Sequence, residues 1–209
     1  MRVRRVPGKA RYDRGQIDAI LDEALVAHLG FANEGQPFVI PTLHARAGDA
    51  VYVHGSSASR TLRALGGAAL PACLTVTLLD GLVFARSVFE MSANYRSVVV
   101  LGSARAVDDA GEKIAALEAF SERVMPGRWA AVRKPTRQEL KATTILALPL
   151  HEASAKVSEG GPDDGESEDA ELPVWAGHVP LRVVAGEPVP CPHLRPGIPL
   201  PPDIAHYAR

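Results

Sequence analysis

The chain has 209 residues, of which 46% are hydrophobic and 22% charged, and its formal net charge is −1 at pH 7. This length and balance are typical of one globular domain with an appendage, and the near-neutral charge argues against a general nucleic-acid binder. No apolar run approaches the ~18 residues of a membrane span, and no hydrophobic segment follows the basic N-terminus as in a signal peptide. We therefore expect a cytoplasmic protein that binds neither nucleic acid nor membrane.

The first element is predicted to be a helix that begins after Asp13, a good N-cap residue. Apolar residues at helical spacing carry this helix to His28, and Gly30 is expected to end it. Residues 30–55 then alternate short apolar stretches with turn residues, as in a meander of strands. Because proline cannot donate a ladder hydrogen bond, the stretch with Pro41 is expected to be an edge strand, to be bulged or to open towards a ligand.

The next elements continue this antiparallel pattern. A short helix is predicted over residues 57–66, and Asp80-Gly81 is predicted to turn a hairpin between two apolar runs. A long strand follows, then an amphipathic helix over residues 109–123 and a last apolar strand. Hairpins and meanders without βαβ alternation predict a mainly β fold with peripheral helices, in which an antiparallel sheet closes into a barrel.

The composition changes near residue 158, and it divides the chain into three predicted parts. Residues 1–157 form the barrel domain, and residues 158–172 an acidic flexible loop. Residues 158–171 contain nothing large and apolar, so burial cannot offset their ordering entropy. Residues 173–209 recover apolar character and are expected to pack back on the barrel as a C-terminal extension.

The stretch "VYVHGSSASRTLRAL" at residues 51–65 joins a predicted strand to the predicted short helix. Small hydroxyls and guanidinium groups gather there: Gly55, Ser56, Ser57, Ser59, Arg60 and Arg63. Free N–H groups at a helix start, serine hydroxyls and a two-pronged guanidinium together suit a phosphate. The alternative is an ordinary serine N-cap with two solvated arginines. The chain has neither a Walker A loop nor a GxGxxG fingerprint.

Three motifs in order extend this interpretation. They are Phe38-Val39-Ile40-Pro41-Thr42, then Tyr52-Val53-His54-Gly55-Ser56-Ser57-Ala58-Ser59-Arg60, then Asn94-Tyr95-Arg96-Ser97-Val98-Val99-Val100-Leu101-Gly102. Their order and spacing resemble the pyridoxamine 5′-phosphate oxidase-like FMN-binding split barrels, in particular the flavin-nucleotide-binding branch that includes nitroimidazole-resistance proteins. The resemblance covers about residues 10–157, and "VWAGHVPL" near the C-terminus is similar to that branch as well.

The resemblance implies a split β-barrel that forms a homodimer, with an FMN in each of two clefts at the interface. It places Val39, Ile40, Pro41 and Thr42 along the isoalloxazine. It places His54, Gly55, Ser56, Ser59 and Arg60 at the ribityl and phosphate end, with Arg63 as a second cation. It places Tyr95, Arg96 and Ser97 beside the cleft, contributed by the partner subunit. Trp175 either stacks near the flavin or anchors the C-terminal segment.

The function that the resemblance implies is an FMN-dependent oxidoreductase acting on a small molecule. The arginine-rich C-terminal motif of the true oxidases is missing, so pyridoxal phosphate synthesis is not expected. Two alternatives stay open: a flavin carrier or sensor without turnover, and a haem protein with His44 or His54 as axial ligand. The sequence identifies no catalytic residue, no electron donor and no metal site, since no histidine and cysteine cluster has zinc spacing.

Overall fold

The computed structural model describes residues 2–56 and 69–207. Within them lie nine strands and five α-helices. The strands are β1 (Ala10–Arg11), β2 (Val26–Asn33), β3 (Gln36–Ala47), β4 (Ala50–Ser56), β5 (Leu70–Phe84), β6 (Ser92–Ala106), β7 (Thr143–Pro149), β8 (Glu152–Ser158) and β9 (Gly177–Pro180). The helices are α1 (Arg14–Glu23), α2 (Ala110–Val124), α3 (Arg128–Ala131), α4 (Arg137–Ala142) and α5 (Pro202–Ala205).

The strands form a single antiparallel sheet that closes on itself. Their order is β1-β8-β6-β7-β4-β3-β2-β5-β9, and β5 also pairs with β6. That extra pairing closes β6, β7, β4, β3, β2 and β5 into a ring. The prediction of a mainly β, antiparallel split barrel with peripheral helices is therefore confirmed.

The strand β3 changes partners along its length. Residues 36–43 pair with β2, from Asn33↔Gln36 to Val26↔Leu43. Over the described residues, β4 pairs with β3 only across residues 44–47. The sheet is therefore open beside residues 36–43, and Pro41 lies in this edge portion, where a proline is tolerated. This is the first of the three interpretations that the sequence left open for Pro41.

The core fills the inside of the ring, and α1 contributes to it. Ile17, Ile20 and Leu21 of α1 are buried among strand residues such as Leu74 and Val98. Burying each such side chain stabilises the fold by roughly 1.5–3 kcal/mol. The helix begins as predicted, because the side chain of Asp13 accepts a hydrogen bond from the Gln16 backbone N–H.

The prediction that α1 runs on to His28 and Gly30 was wrong. The helix ends at Glu23 and β2 begins at Val26. Residues 26–33 alternate in burial, with Ala27, Leu29 and Phe31 inside. The same apolar residues also fit a helical spacing. The strand forms because residues 26–33 pair with β3 on one side and residues 27–31 pair with β5 on the other.

A second cluster of buried side chains lies outside the ring, beneath α2. Tyr52 of β4, Ile145 of β7 and Phe120 of α2 meet there. The Tyr52 hydroxyl donates to Glu112 Oε1 at 3.0 Å, and Arg105 Nη2 pairs with the same carboxylate oxygen at 2.6 Å. The predicted helix at 109–123 is confirmed by α2, which begins on an Asp109 cap.

The chain divides into two compact units, Met1–Leu78 with Ala93–Gly160, and Leu79–Ser92 with Gly161–Arg209. In the second unit the last residues of β5 pair with β9, from Gly81↔Pro180 to Phe84↔Gly177. The predicted hairpin at Asp80-Gly81 was wrong, because β5 continues through both residues. Gly81 serves close packing instead, since a Cβ there would stand 2.9 Å from the Val179 carbonyl oxygen.

The acidic stretch is partly structured. Ser158 ends β8, and residues 168–171 form a 3₁₀ turn. Asp164 is only 1% exposed, and it accepts hydrogen bonds from the Arg86 backbone N–H and from Arg86 Nη1 at 2.6 and 2.7 Å. The stretch thus buries one carboxylate, which the sequence analysis did not expect. No helix in the described part of the chain is long and apolar enough to span a membrane.

Gly81→Ala is expected to weaken the pairing of β5 with β9. Overpacking of this kind costs about 1–3 kcal/mol, because the backbone at Val179 must move away. Limited proteolysis should then release the C-terminal segment faster than in the wild type. Gly165→Ala is the matched control, since a Cβ at Gly165 meets nothing within 4 Å. Equal cleavage rates for the two variants would contradict the close-packing role of Gly81.

Candidate functional site

The open part of the sheet carries a group of outward-facing side chains, here called the outer strip: Val26, His28, Val39, Pro41 and Leu43. Pairing places Pro41 opposite His28 and Leu43 opposite Val26. Val39 is 68% exposed and the other four are also exposed. The outer strip is therefore a mostly apolar surface with one imidazole in it.

The four residues predicted to lie along a flavin ring divide between the two faces of β3. Val39 and Pro41 belong to the outer strip, whereas Ile40 turns inwards and packs against the core. The Thr42 side chain lies on the same face as Ile40, and its hydroxyl donates to the Leu43 carbonyl oxygen at 3.2 Å. Only Val39 and Pro41 thus offer side chains to a ligand on the outside of the ring.

The end of β4 lies at the same opening. His54 and Gly55 pair with Ile145 and Thr144 of β7, and Ser56 continues this ladder. Because His44 pairs with Val53, the register sets His54 on the outer face at the level of Leu43. The predicted phosphate residues Ser59, Arg60 and Arg63 lie outside the described residues. The structure thus brings His54 and Gly55 beside the outer strip.

His54 has an unusual environment. Its ring meets the Phe120 ring edge-on, with centroids 4.3 Å apart. Its Nδ1 is buried and has no hydrogen-bond partner among residues 2–56 and 69–207. Burial also lowers the pKa of His54 below its usual range, so the neutral imidazole is favoured. A neutral ring with a free nitrogen can bind a ligand group or accept a proton from it.

His44 is held differently. It is 1% exposed, and its Nε2–H donates to the Leu21 carbonyl oxygen at 2.9 Å. Burial lowers the pKa of His44, and the positive charge of Arg123 contributes to the same shift. Because this nitrogen is engaged and the ring is enclosed, His44 fastens the end of α1 to β3 and is poorly placed to ligate a haem iron.

The three predicted residues of β6 alternate between the faces of the sheet. Tyr95 and Ser97 lie opposite Ser158 and Lys156. Arg96 forms a two-pronged ion pair with Glu23, in which the Nη2–Oε1 distance is 2.7 Å. The Arg96 guanidinium is thus engaged at the end of α1, and Ser97 Oγ donates to the Lys156 carbonyl oxygen at 3.5 Å.

Trp175 belongs to the second unit and is 67% exposed. Its ring centroid lies 6.2 Å from that of Phe84. The ring also lies directly over Gly177, where a Cβ would stand 2.8 Å from Trp175 Cζ2. The Trp175 ring is therefore mostly exposed, and it packs against Phe84 and Gly177. Whether it also stacks on a flavin stays a prediction.

The sequence analysis missed His28 as a site residue because it placed this histidine on a helix. The signal was present in "VAHLGF", where apolar and other residues alternate with a period of two. Among residues 2–56 and 69–207, no three His, Cys, Asp or Glu side chains stand close enough together to hold a metal ion.

Comparison with known proteins defines the class of this split barrel. Residues 13–157 match the family described as pyridoxamine 5′-phosphate oxidase. The chain belongs to this family, as its three sequence motifs suggested. No curated protein matches the chain.

Two solved structures are similar over nearly their whole length. The flavocytochrome Anf3 from Azotobacter vinelandii is 44% identical, with a TM-score of 0.89, and the match covers 97% of this chain and 93% of that one. The FAD and haem binding protein from Mycobacterium smegmatis is 40% identical, with a TM-score of 0.88 and coverage of 94% and 95%. A 5-nitroimidazole antibiotic resistance protein from Bacteroides thetaiotaomicron shares the fold at 20% identity and a TM-score of 0.59, covering 71% and 86%.

His44 is expected to make folding stability depend on pH. Its pKa is lowered in the folded state, so below about pH 6.5 the unfolded chain binds more protons. Stability should therefore fall as the pH drops from about 7.5 towards 5.5, by at most about 1.4 kcal/mol per pH unit for this group. Urea unfolding of His44→Gln, whose amide can still donate to Leu21, should show a flatter dependence. His54→Gln separates the contribution of the second histidine, whose pKa is also lowered by burial. An unchanged slope in His44→Gln would contradict this account.

Proposed function

We propose that this protein binds a flavin and a haem and works as an oxidoreductase on a small molecule. The observation that carries the proposal is the high identity, over more than nine-tenths of both chains, to a flavocytochrome and to an FAD and haem binding protein. The sequence motifs favour FMN, and one of these two similar proteins binds FAD. The FMN portion is common to both flavins, so one site for that portion serves either.

The flavin site is proposed at the opening between β3 and the end of β4. Val39 and Pro41 offer an apolar surface suited to one face of an isoalloxazine ring. His54, with its unpartnered Nδ1, and Gly55 lie where the chain enters the serine- and arginine-containing segment. Ser56, Ser59, Arg60 and Arg63 would hold the phosphate. A bound flavin supplies the electron or hydride transfer, while these residues bind and orient it.

A histidine on the outer face of the barrel is proposed to hold the haem. His28 is an exposed imidazole beside Val26 and Leu43, the two apolar outer-strip residues that the proposed flavin site does not use. A haem would need apolar surface for its porphyrin and an accessible imidazole for its iron. His54 is the second candidate, because its ring is kept neutral by burial. His44 is not proposed as a haem ligand, because its Nε2–H donates to the Leu21 carbonyl oxygen.

A second copy of the chain is proposed to complete these sites. The outer strip leaves Val39 and Leu43 exposed. Apolar surface of this extent usually marks an interface, and a two-fold dimer is the commonest way to cover it. The resemblance places Tyr95, Arg96 and Ser97 at the cleft, contributed by the partner subunit. A carrier without turnover remains the alternative to an enzyme.

The absorbance spectrum of the purified protein tests the proposal directly. A flavin band together with a Soret band is the expected result, and chromatography of the extracted flavin distinguishes FMN from FAD. His28→Ala should lose or shift the Soret band while keeping the flavin band. His151→Ala is the control, since His151 is an exposed histidine in the turn before β8. A colourless protein that takes up neither cofactor when they are added would contradict the proposal.

Turnover is tested on the same preparation. Under anaerobic conditions, bleaching of the flavin by a nicotinamide donor, followed by reoxidation with a small electrophile such as a nitroaromatic, is expected of an oxidoreductase. A flavin that stays oxidised with every donor would favour the carrier.

Arg60→Ala is expected to weaken flavin binding by about ten- to a hundred-fold, because a charge-assisted contact to phosphate is lost. Fluorescence titration of the apoprotein measures the change. Arg137→Ala, an exposed arginine at the start of α4, is the matched control. Equal flavin affinity in both variants, with both still folded, would remove Arg60 from the site.

A further inference from the structure

Residues 126–142, here called the basic segment, concentrate positive charge at the surface. They contain α3, α4 and the turns beside these helices. The segment has one carboxylate, Glu139, and five cations: Arg128, Arg133, Lys134, Arg137 and Lys141. All five cations are exposed, and the chain as a whole has a net charge of −1, so the positive excess is local. None of the functions derived above uses it.

The basic segment is held in place by the carboxylates and the aromatic ring around it. Arg133 forms a two-pronged ion pair with Glu139, with N–O distances of 2.8 and 2.5 Å. Lys134 Nζ lies over the Trp129 ring, 4.4 Å from its centroid. Glu122 of α2 accepts a hydrogen bond from the Trp129 backbone N–H at 2.9 Å, which fastens the start of the segment to that helix.

Three of the cations are left without a carboxylate. Arg128, Arg137 and Lys141 form no ion pair within the described part of the chain. Arg137 and Lys141 are four residues apart and therefore share one side of α4. Apolar surface accompanies them, since Val132 is 38% exposed and Trp129 is half-buried. Unneutralised cations beside partly exposed apolar side chains suit the acidic surface of another protein.

Both ends of the basic segment adjoin the end of β4, where the flavin site is proposed. At one end the segment runs directly into β7, whose first residue, Thr143, pairs with Ser56 of β4. At the other end it follows α2, whose Phe120 ring contacts the His54 ring. A protein bound to the segment therefore stands beside the proposed flavin opening.

We propose that the basic segment docks an acidic electron-transfer protein that reduces the flavin. The electron-transfer part of this inference rests on the proposed flavin binding. Each encounter oxidises the donor protein by one electron, and two encounters, with protons taken from water, supply the two electrons that full reduction of a flavin requires. Redox proteins meet through small, short-lived interfaces, and opposite charges on the two surfaces speed the encounter.

The test uses the full-length protein and two acidic donor proteins as probes, a flavodoxin and a plant-type [2Fe–2S] ferredoxin. Calorimetry at low salt measures the binding of the oxidised donors, and this readout needs no bound flavin. Anaerobic stopped-flow absorbance measures flavin reduction by the reduced donors. The variants are Arg128→Glu and the double variant Arg137→Glu with Lys141→Glu. Arg5→Glu is the matched control, because it reverses the charge of an exposed arginine near the N-terminus.

The wild type should bind at least one donor protein, and its flavin should be reduced more slowly as the salt concentration rises. At low salt the double variant should weaken donor binding and slow flavin reduction by about ten-fold or more, whereas Arg5→Glu should stay within about two-fold. Arg137→Gln with Lys141→Gln, which removes both charges without reversing them, should give a smaller loss in the same direction. Excess dithionite should reduce the same amount of flavin in every variant.

The outcomes separate this inference from the proposed function. If neither donor protein binds, or if the charge-reversal variants match Arg5→Glu in both binding and rate, the inference is overturned. It is also overturned if these variants slow reduction by NADPH and leave donor binding unchanged, because the segment would then serve a small anionic donor. Donor binding that the variants weaken, in a protein that takes up no flavin, supports the docking surface and contradicts the flavin site alone. Unfolding curves confirm that each variant is folded.

Discussion

The functional geometry of this barrel depends on one change of pairing. Along β3 the chain bonds first to β2 and then, from His44 onwards, to β4. Because β2 and β4 lie on opposite edges of β3, the edge on the β4 side has no strand partner over residues 36–43 within the described part of the chain. An exposed strand edge invites association with other chains, and proline reduces that hazard because it offers no N–H. Pro37 and Pro41 both lie in the unshared part. The opening that results is where the candidate site lies.

The outer face of β4 is kept rigid by the packing beneath α2. Tyr52 and Phe120 are buried there, and Glu112 accepts hydrogen bonds from Tyr52 and Arg105. The Arg105 guanidinium lowers the pKa of Glu112, while burial and then the bond to Glu112 raise the pKa of Tyr52. The Glu112 carboxylate therefore stays charged and the Tyr52 hydroxyl stays protonated. This network holds α2 against β4, and Phe120 in turn fixes the neutral ring of His54.

The sequence was sufficient to predict the class of fold and the cap of the first helix. The Asp13 cap is a local interaction, so the residues that form it are close in sequence. The motifs at residues 38–42 and 94–102 identified the family. The end of α1 was misplaced because residues 26–31 satisfy two periodicities, and only pairing with two distant strands decides between them.

Other features of the site depend on contacts that no local pattern contains. Asp80-Gly81 is a dipeptide typical of turns. The role of Gly81 instead comes from the Val179 carbonyl oxygen, which packs against it from almost a hundred positions away in the sequence. The hydrogen bond from His44 to the Leu21 carbonyl oxygen likewise joins residues 23 positions apart. The residue types alone indicated which side chains could bind a ligand. Strand pairing and packing between distant residues determined which of those side chains are accessible.

The central claim is that the opening beside β3 binds the flavin. Hydrogen–deuterium exchange of the apoprotein with and without added flavin measures this at the backbone itself. The account predicts that protection on flavin binding is largest in peptides covering residues 36–44 and 50–56. Protection confined to other parts of the chain, with exchange in these two peptides unchanged at saturating flavin, would contradict it.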